Sequence, residues 1–285
     1  MTGAARPGRF RRCSRVLGTG IGATLCPAVV NRLTSLPVML RVTPRHRTSC
    51  AARPKGSPVR DHPPLIAMIH AVPTSARIAQ DAFAQEFPEV RLWNLLDDRL
   101  LDDARAAGGL DTHLRRRMLR LIEHAVEGGA QGVLLTCSSY GDVVDAARAR
   151  WTVPVLKPDE SMFHAALTGP YDRFAIAAST PPAVSAALAQ LDALSARLRP
   201  GRPVRIAAAL SEPAATAATP RETARHLADA LRTCGADDVQ AVLLAQYSLA
   251  PAGPALSELL GLPVLDGAVA AARELRGALV PQASA

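Results

Sequence analysis

From about residue 63 onward, short apolar runs alternate with stretches whose apolar residues recur three and four positions apart. Leu65-Ile-Ala-Met-Ile69 is the first such run; it enters the turn-like His70-Ala-Val-Pro-Thr-Ser75 and then helical spacing from Ala76 to Phe87. Val90 to Leu95 predicts a second strand. Asp111 stands where it can cap an amphipathic helix with Leu114, Met118, Leu121, Ile122 and Ala125 on one face and Gly128 at its end. Gly132-Val-Leu-Leu135 predicts a buried strand that meets Thr136-Cys-Ser-Ser-Tyr-Gly141 at a corner, and Val143 to Arg150 continues as a helix. Val153-Pro-Val-Leu156 is a short strand leading into Lys157-Pro-Asp-Glu160.

The alternation then starts again. Arg173 to Ala178 is a strand, Ser179-Thr-Pro-Pro182 the turn after it and Ala183 to Leu198 a helix. Strands follow at Val204 to Leu210, Val239 to Ala245 and Gly261 to Leu265, with a helix over Arg221 to Thr233 for which Thr219 or Thr223 is the cap. Val133-Leu-Leu-Thr-Cys137 aligns with Val242-Leu-Leu-Ala-Gln246 at an offset of 109, Pro154-Val-Leu156 aligns with Pro263-Val-Leu265 at the same offset, and Pro73 pairs with Pro181 at 108. Equal spacing of separate segments marks a duplicated unit. Right-handed crossovers then make the chain an α/β protein of two pseudo-symmetric domains, each a parallel sheet flanked by helices, with a cleft between them. Residues 61–166 with 266–285 are expected to form the first domain and 167–265 the second. Ligands of such sheets sit beyond the carboxyl ends of the strands, so His70 to Thr74, Thr136 to Ser139, Lys157 to Glu160, Ser179-Thr180, Ala245 to Ser248 and Asp266 are expected to share one cleft.

Charge divides the chain of 285 residues unevenly. The net +8 comes from residues 1–60, which hold twelve Lys or Arg and no Asp or Glu, leaving 21 basic against 25 acidic residues elsewhere. The extension 1–60 lacks sustained periodicity and is expected to be disordered. The remainder carries no nucleic-acid signature, and no run reaches the roughly 18 to 20 apolar residues of a membrane span. Only Cys137 and Cys234 lie outside the extension, too few for a disulfide framework, so a cytoplasmic setting is expected.

Cys137 is the first candidate for chemistry. A cysteine at a strand-to-helix corner lies near unpaired backbone N–H groups, which lower a thiol's pKa and leave room for an anion. The hydroxyls around it suit a small carboxylate. Asp159 and Glu160 are expected to be solvated loop carboxylates, and Arg115-Arg-Arg117 the outer face of its helix.

The stretches L-L-T-C-S-S-Y-G at 134–141, V-P-V-L at 153–156, A-I-A-A-S-T at 175–180, L-L-A-Q-Y-S at 243–248 and L-P-V-L-D at 262–266 resemble the aspartate/glutamate/hydantoin racemase superfamily, over roughly residues 63 to 275. The resemblance implies an enzyme without cofactor or metal that acts at the carbon next to a carboxylate, with one cysteine from each half facing opposite sides of that carbon. The first maps onto Cys137 and the second onto Gln246, which does not titrate. Tyr247 and His70 are the candidates for a replacement acid. Thr74, Thr136, Ser138, Ser139, Ser179, Thr180, Tyr247 and Ser248 are the candidate substrate-binding residues. Gln246 is expected to donate its amide to a carboxylate or developing oxyanion. With one thiol, decarboxylation followed by one-sided protonation is the chemical alternative, and a non-catalytic carboxylate-binding protein the other. A small carboxylate is the expected partner, with neither nucleic acid nor membrane, and family likeness suggests a homo-oligomer.

Overall fold

The structure, a computed structural model, describes residues 62–280 except 236 and 237; the basic extension 1–60 lies outside them. The apolar runs form strands. β1 (Leu65–His70), β2 (Arg91–Leu96), β3 (Gly132–Leu135) and β4 (Val155–Leu156) make one parallel sheet in the order β2-β1-β3-β4. β5 (Arg173–Ala178), β6 (Arg205–Leu210), β7 (Ala241–Leu244) and β8 (Val264–Asp266) make a second in the order β6-β5-β7-β8. Both sheets belong to one compact unit. The central strands are continuous apolar runs because helices cover both faces, which is the parallel-sheet signature.

The repeat read from the sequence reappears as hydrogen-bond register. Ile66 pairs with Gly132 and Phe174 with Ala241, offsets of 108 and 109 between the halves, and Val133 pairs with Val155 as Val242 does with Val264.

Helices α1 (Pro73–Glu86), α3 (Thr112–Glu127), α4 (Gly141–Arg148), α6 (Pro181–Leu198) and α7 (Pro220–Thr233) coincide with the periodic stretches; α2 is Leu100–Ala106. α1 and α6 begin earlier than their apolar spacing because proline occupies the first helical position, where its fixed φ helps and its missing N–H costs nothing. Asp111 Oδ1 accepts from the Leu114 amide at 2.7 Å, and Thr219 Oγ1 from that of Glu222 at 3.2 Å, so both expected caps form.

The one helix after the fourth strand of each half packs on the other half's sheet. α5 (Glu160–Thr168) buries Met162, Phe163, Ala166 and Leu167 with Phe174, Ile176 and Leu243 of the second sheet. α9 (Gly267–Leu279) buries Ala268, Ala271, Ala272 and Leu275 with Ile66, Met68 and Leu134 of the first. The strand ends therefore cross at 157–159 and 266–267. The crossing is tight: a Cβ on Gly267 would overlap the Pro158 carbonyl oxygen and stand 3.0 Å from Asp159 Oδ1.

The Arg115 to Arg117 run is not uniformly an outer face. Arg117 is only 26% exposed and donates to Asp103 Oδ2 and Asp97 Oδ1, both at 2.6 Å, which joins α3 to α2 and to the end of β2. A guanidinium presents several donors in a rigid fork, so one side chain holds both acids.

Candidate active site

Cys137 leaves β3 in extended backbone (φ −122°) and enters the 3₁₀ turn Ser138–Tyr140, ahead of α4. Tyr140 anchors the turn: it is fully buried, and its hydroxyl donates to the Leu100 carbonyl at 2.8 Å. The expected depression of the thiol pKa does not hold. Burial pushes Cys137 up, and the Ser139 amide and hydroxyl and the Tyr140 amide pull it down by less; the nearby Asp159 carboxylate adds a further upward push. Cys137 is therefore a thiol at neutral pH, already facing groups that would receive a thiolate.

His70 ends β1 and has no solvent exposure. A neutral imidazole carries one N–H: Nε2 donates it to Asn94 Oδ1 at 3.0 Å, and Nδ1, 2.9 Å from Thr136 Oγ1, accepts the Thr136 hydroxyl. Burial lowers the imidazole pKa, against a smaller rise from the Asn94 contact, and keeps it neutral. Thr136 is buried too, so the pair forms a polar layer beneath the turn. Ser138, Ser139 and Thr74 are exposed, and no side chain caps either α1 or the Ser138–Tyr140 turn.

In the second half, Gln246 Oε1 accepts from the Ser179 amide and from Ser179 Oγ at 2.9 Å. A backbone N–H can only donate, so the group facing Ser179 is the carbonyl oxygen, and the amide nitrogen with its two hydrogens points elsewhere. Ser179 is buried, and Thr180 is half-buried at the cap of α6 without making a cap bond. Tyr247 and Ser248 begin the 3₁₀ segment Tyr247–Ala252, Ser248 exposed and Tyr247 buried against first-sheet residues Ile66 and Met68. Burial raises the pKa of the Tyr247 phenol further above its ordinary value, so it keeps its proton at neutral pH. Cys234 closes α7 and donates to the Leu231 carbonyl at 3.3 Å.

Asp159 departs from the expectation of a solvated loop acid. It is only 5% exposed, and although it occupies the cap position of α5 its carboxyl makes no cap bond. Burial, and then the neighbouring Asp266, raise it to about 7. Asp266 does cap its helix: Oδ1 accepts from the amides of Ala268 and Val269, both at 2.9 Å. Asp159 Oδ1, Ser161 Oγ and Tyr247 Oη are buried polar atoms without a hydrogen-bond partner among the described residues. No local pattern in the sequence marks Asp159: its neighbour Glu160 stands equally close to the same apolar residues, yet it is only half-buried and pairs with Arg148.

A separate groove of about 790 Å³ runs between α1, α5, α9 and α8 (Gly253–Leu260); it meets this cluster only at Ser161 and Asp266, and neither Cys137 nor Gln246 lines it. Among the described residues no group of three His, Cys, Asp or Glu side chains is arranged to hold a metal ion, and no helix is long and apolar enough to cross a membrane.

The sequence profile of the Asp/Glu/hydantoin racemase family matches residues 69–275. This chain belongs to that family. Among solved structures, racemase-family folds superpose on it at low identity: allantoin racemase from Klebsiella pneumoniae (21% identical, 75% of this chain and 86% of that one, TM-score 0.53) and a glutamate racemase from Bacillus anthracis (12%, 76% and 81%, TM-score 0.58). An unliganded arylmalonate decarboxylase shares the fold equally well (16%, 76% and 94%, TM-score 0.52). No curated protein matches the sequence. The two four-stranded sheets with flanking helices are thus the racemase-family architecture, and Cys137 and Gln246 stand at its equivalent strand ends, after β3 and β7.

Proposed function

We propose that this racemase-family protein transfers protons at the carbon next to the carboxylate of a small acid, an amino acid or a related compound, with Cys137 as acid and base and without a cofactor. One observation carries the reading. Cys137 is presented at the end of β3 on a turn whose Ser139 amide, Ser139 hydroxyl and Tyr140 amide face the sulfur, so the thiolate formed when the thiol gives up its proton is received by donors already in place. An α-proton is very weakly acidic, so the carboxylate that becomes an enediolate also needs fixed donors, each worth about 3 kcal/mol. The exposed hydroxyls of Thr74, Ser138, Ser139 and Ser248, the half-buried Thr180 and the free side of the Gln246 amide supply that chemistry. In this reading Gln246 stands where the family's second cysteine would be, locked by Ser179. His70 is a positioning residue that holds Thr136 rather than a proton donor.

A thiol that rests protonated also supports a second reading, loss of carbon dioxide followed by protonation of the carbanion by Cys137. Enantiopure aspartate, glutamate and a 2-hydroxy acid, and a prochiral aryl-substituted malonate, each incubated with the protein and analysed by chiral chromatography and for released carbon dioxide, separate the two. The reading predicts inversion of at least one chiral member and its loss in Cys137→Ser. Carbon dioxide release without inversion replaces it with the decarboxylase. Thermal stabilisation by a carboxylate that survives Cys137→Ser, with no product from any compound, replaces both with a binding protein.

A further inference from the structure

The proton account above is incomplete on one side. Inversion needs a group on each face of the carbon, and Gln246, held by Ser179, supplies none. The crossing of the two halves holds a side chain that no structural role employs. Asp159 sits at the cap position of α5 yet leaves the helix amides alone, is 95% removed from solvent, and keeps Oδ1 unpartnered. A buried carboxyl is ordinarily paired or hydrogen-bonded, because leaving it unsatisfied is costly. Tyr247, reaching over from the second half, adds a buried hydroxyl that is likewise unpartnered. Asp159 is also close enough to Cys137 for its charge to oppose ionisation of the thiol.

We propose that Asp159 is the second proton-transferring residue of this site and works with Cys137 on opposite faces of the substrate carbon. The inference rests on the function proposed above. The groups that face the pair are Tyr247 from the 3₁₀ segment after β7 and Asp266 from the end of β8, and neither brings a positive charge. Two like charges this close in a buried site do not both ionise, so the pair carries a single negative charge. That charge rests on the carboxyl, which burial raises to about 7, rather than on the thiol, which burial raises from a higher starting value. In the forward direction the Asp159 carboxylate forms an O–H bond to the α-proton. The C–H electron pair moves into the substrate carboxylate as an enediolate. The Cys137 thiol then delivers its proton to the opposite face, and the electron pair left on sulfur becomes the thiolate. Reverse turnover, or proton exchange with solvent, returns the charge to Asp159. The opposite enantiomer runs the same steps from Cys137 to Asp159.

The test follows deuterium entry from heavy water into each enantiomer of whichever probe acid above the wild type inverts. Asp159→Asn, which keeps the volume, is expected to abolish inversion while one enantiomer still exchanges with retention through Cys137; Cys137→Ser is expected to show the mirror image, exchange of the other enantiomer through Asp159. Positioned acids and bases contribute about 100- to 10,000-fold, so inversion should fall by at least roughly 100-fold in each. Inversion that persists in Asp159→Asn overturns the role of Asp159 and leaves the proposed function standing. Equal loss of exchange for both enantiomers in folded Asp159→Asn also overturns it, since Asp159 would then only shape the site. Should Asp159→Asn not fold, Cys137→Ser decides alone: loss of exchange for both enantiomers there overturns the proposal. No exchange or inversion of any probe by the wild type overturns both the proposal and the function beneath it.

Discussion

At the scale of single residues, the pKa of Asp159 couples the candidate site to stability. Its carboxyl titrates near 3.8 in an unfolded chain and at about 7 when folded. A raised folded pKa means that the unfolded chain releases the proton first as pH rises. The contribution of Asp159 to stability is therefore fully present below about pH 4, declines between pH 4 and 7, and is gone above pH 7, a loss on the order of 4 kcal/mol. Asp159→Asn has no such titration. Thermal unfolding of the two proteins across pH 4 to 8 is expected to show the variant gaining on the wild type as pH rises, with the difference levelling off above 7; a constant difference would mean that the carboxyl is not buried as described. Cys137 and Gln246 were legible in the sequence because the repeat aligned them and because a thiol at a strand-to-helix corner is distinctive. Asp159 was not. The burial that makes it unusual arises where α5 and α9 cross between sheets, contacts that no local pattern encodes.

At the scale of elements, that crossing depends on close backbone approach. Gly267 opens α9 against the Pro158 carbonyl, and any side chain there must displace the 157–159 segment that carries Asp159. Overpacking of this kind costs typically 1–3 kcal/mol. Gly267→Ala is expected to lower the melting temperature accordingly, and to reduce turnover further than the stability loss alone explains. Gly277→Ala, a change in the same helix with open space around it, serves as control and should do neither; equal effects from both substitutions would argue against a tight crossing. All eight strands were readable as apolar runs. The helices α2, α5, α8 and α9 were not: α2 is seven residues with two acids and no side-chain cap, α5 follows Pro158, α8 starts at Gly253-Pro254, and α9 buries mostly alanine, so each lacks the contrast that marks an amphipathic helix at a glance. The lowered thiol pKa expected at Cys137 failed for a related reason: the turn's amides are where the corner implied, but burial of the sulfur outweighs them.

At the scale of the whole molecule, two similar sheets differ in the side chains that follow their third strands. The halves agree in strand order and in register, yet the first ends its third strand in a thiol and the second in an amide tied to its own turn. Duplication thus repeated the strand ends, and in the function proposed above the divergence of single residues there decides which proton transfers are open. The central claim is that Cys137 exchanges a proton with a carbon next to a carboxylate. Proton NMR in heavy water, read together with chiral analysis of the same sample, follows it directly for the wild type and Cys137→Ser. The account predicts that every inverted molecule formed by the wild type carries deuterium at that carbon and that Cys137→Ser forms none. Inverted product without deuterium, or inversion at an undiminished rate in Cys137→Ser, would contradict it.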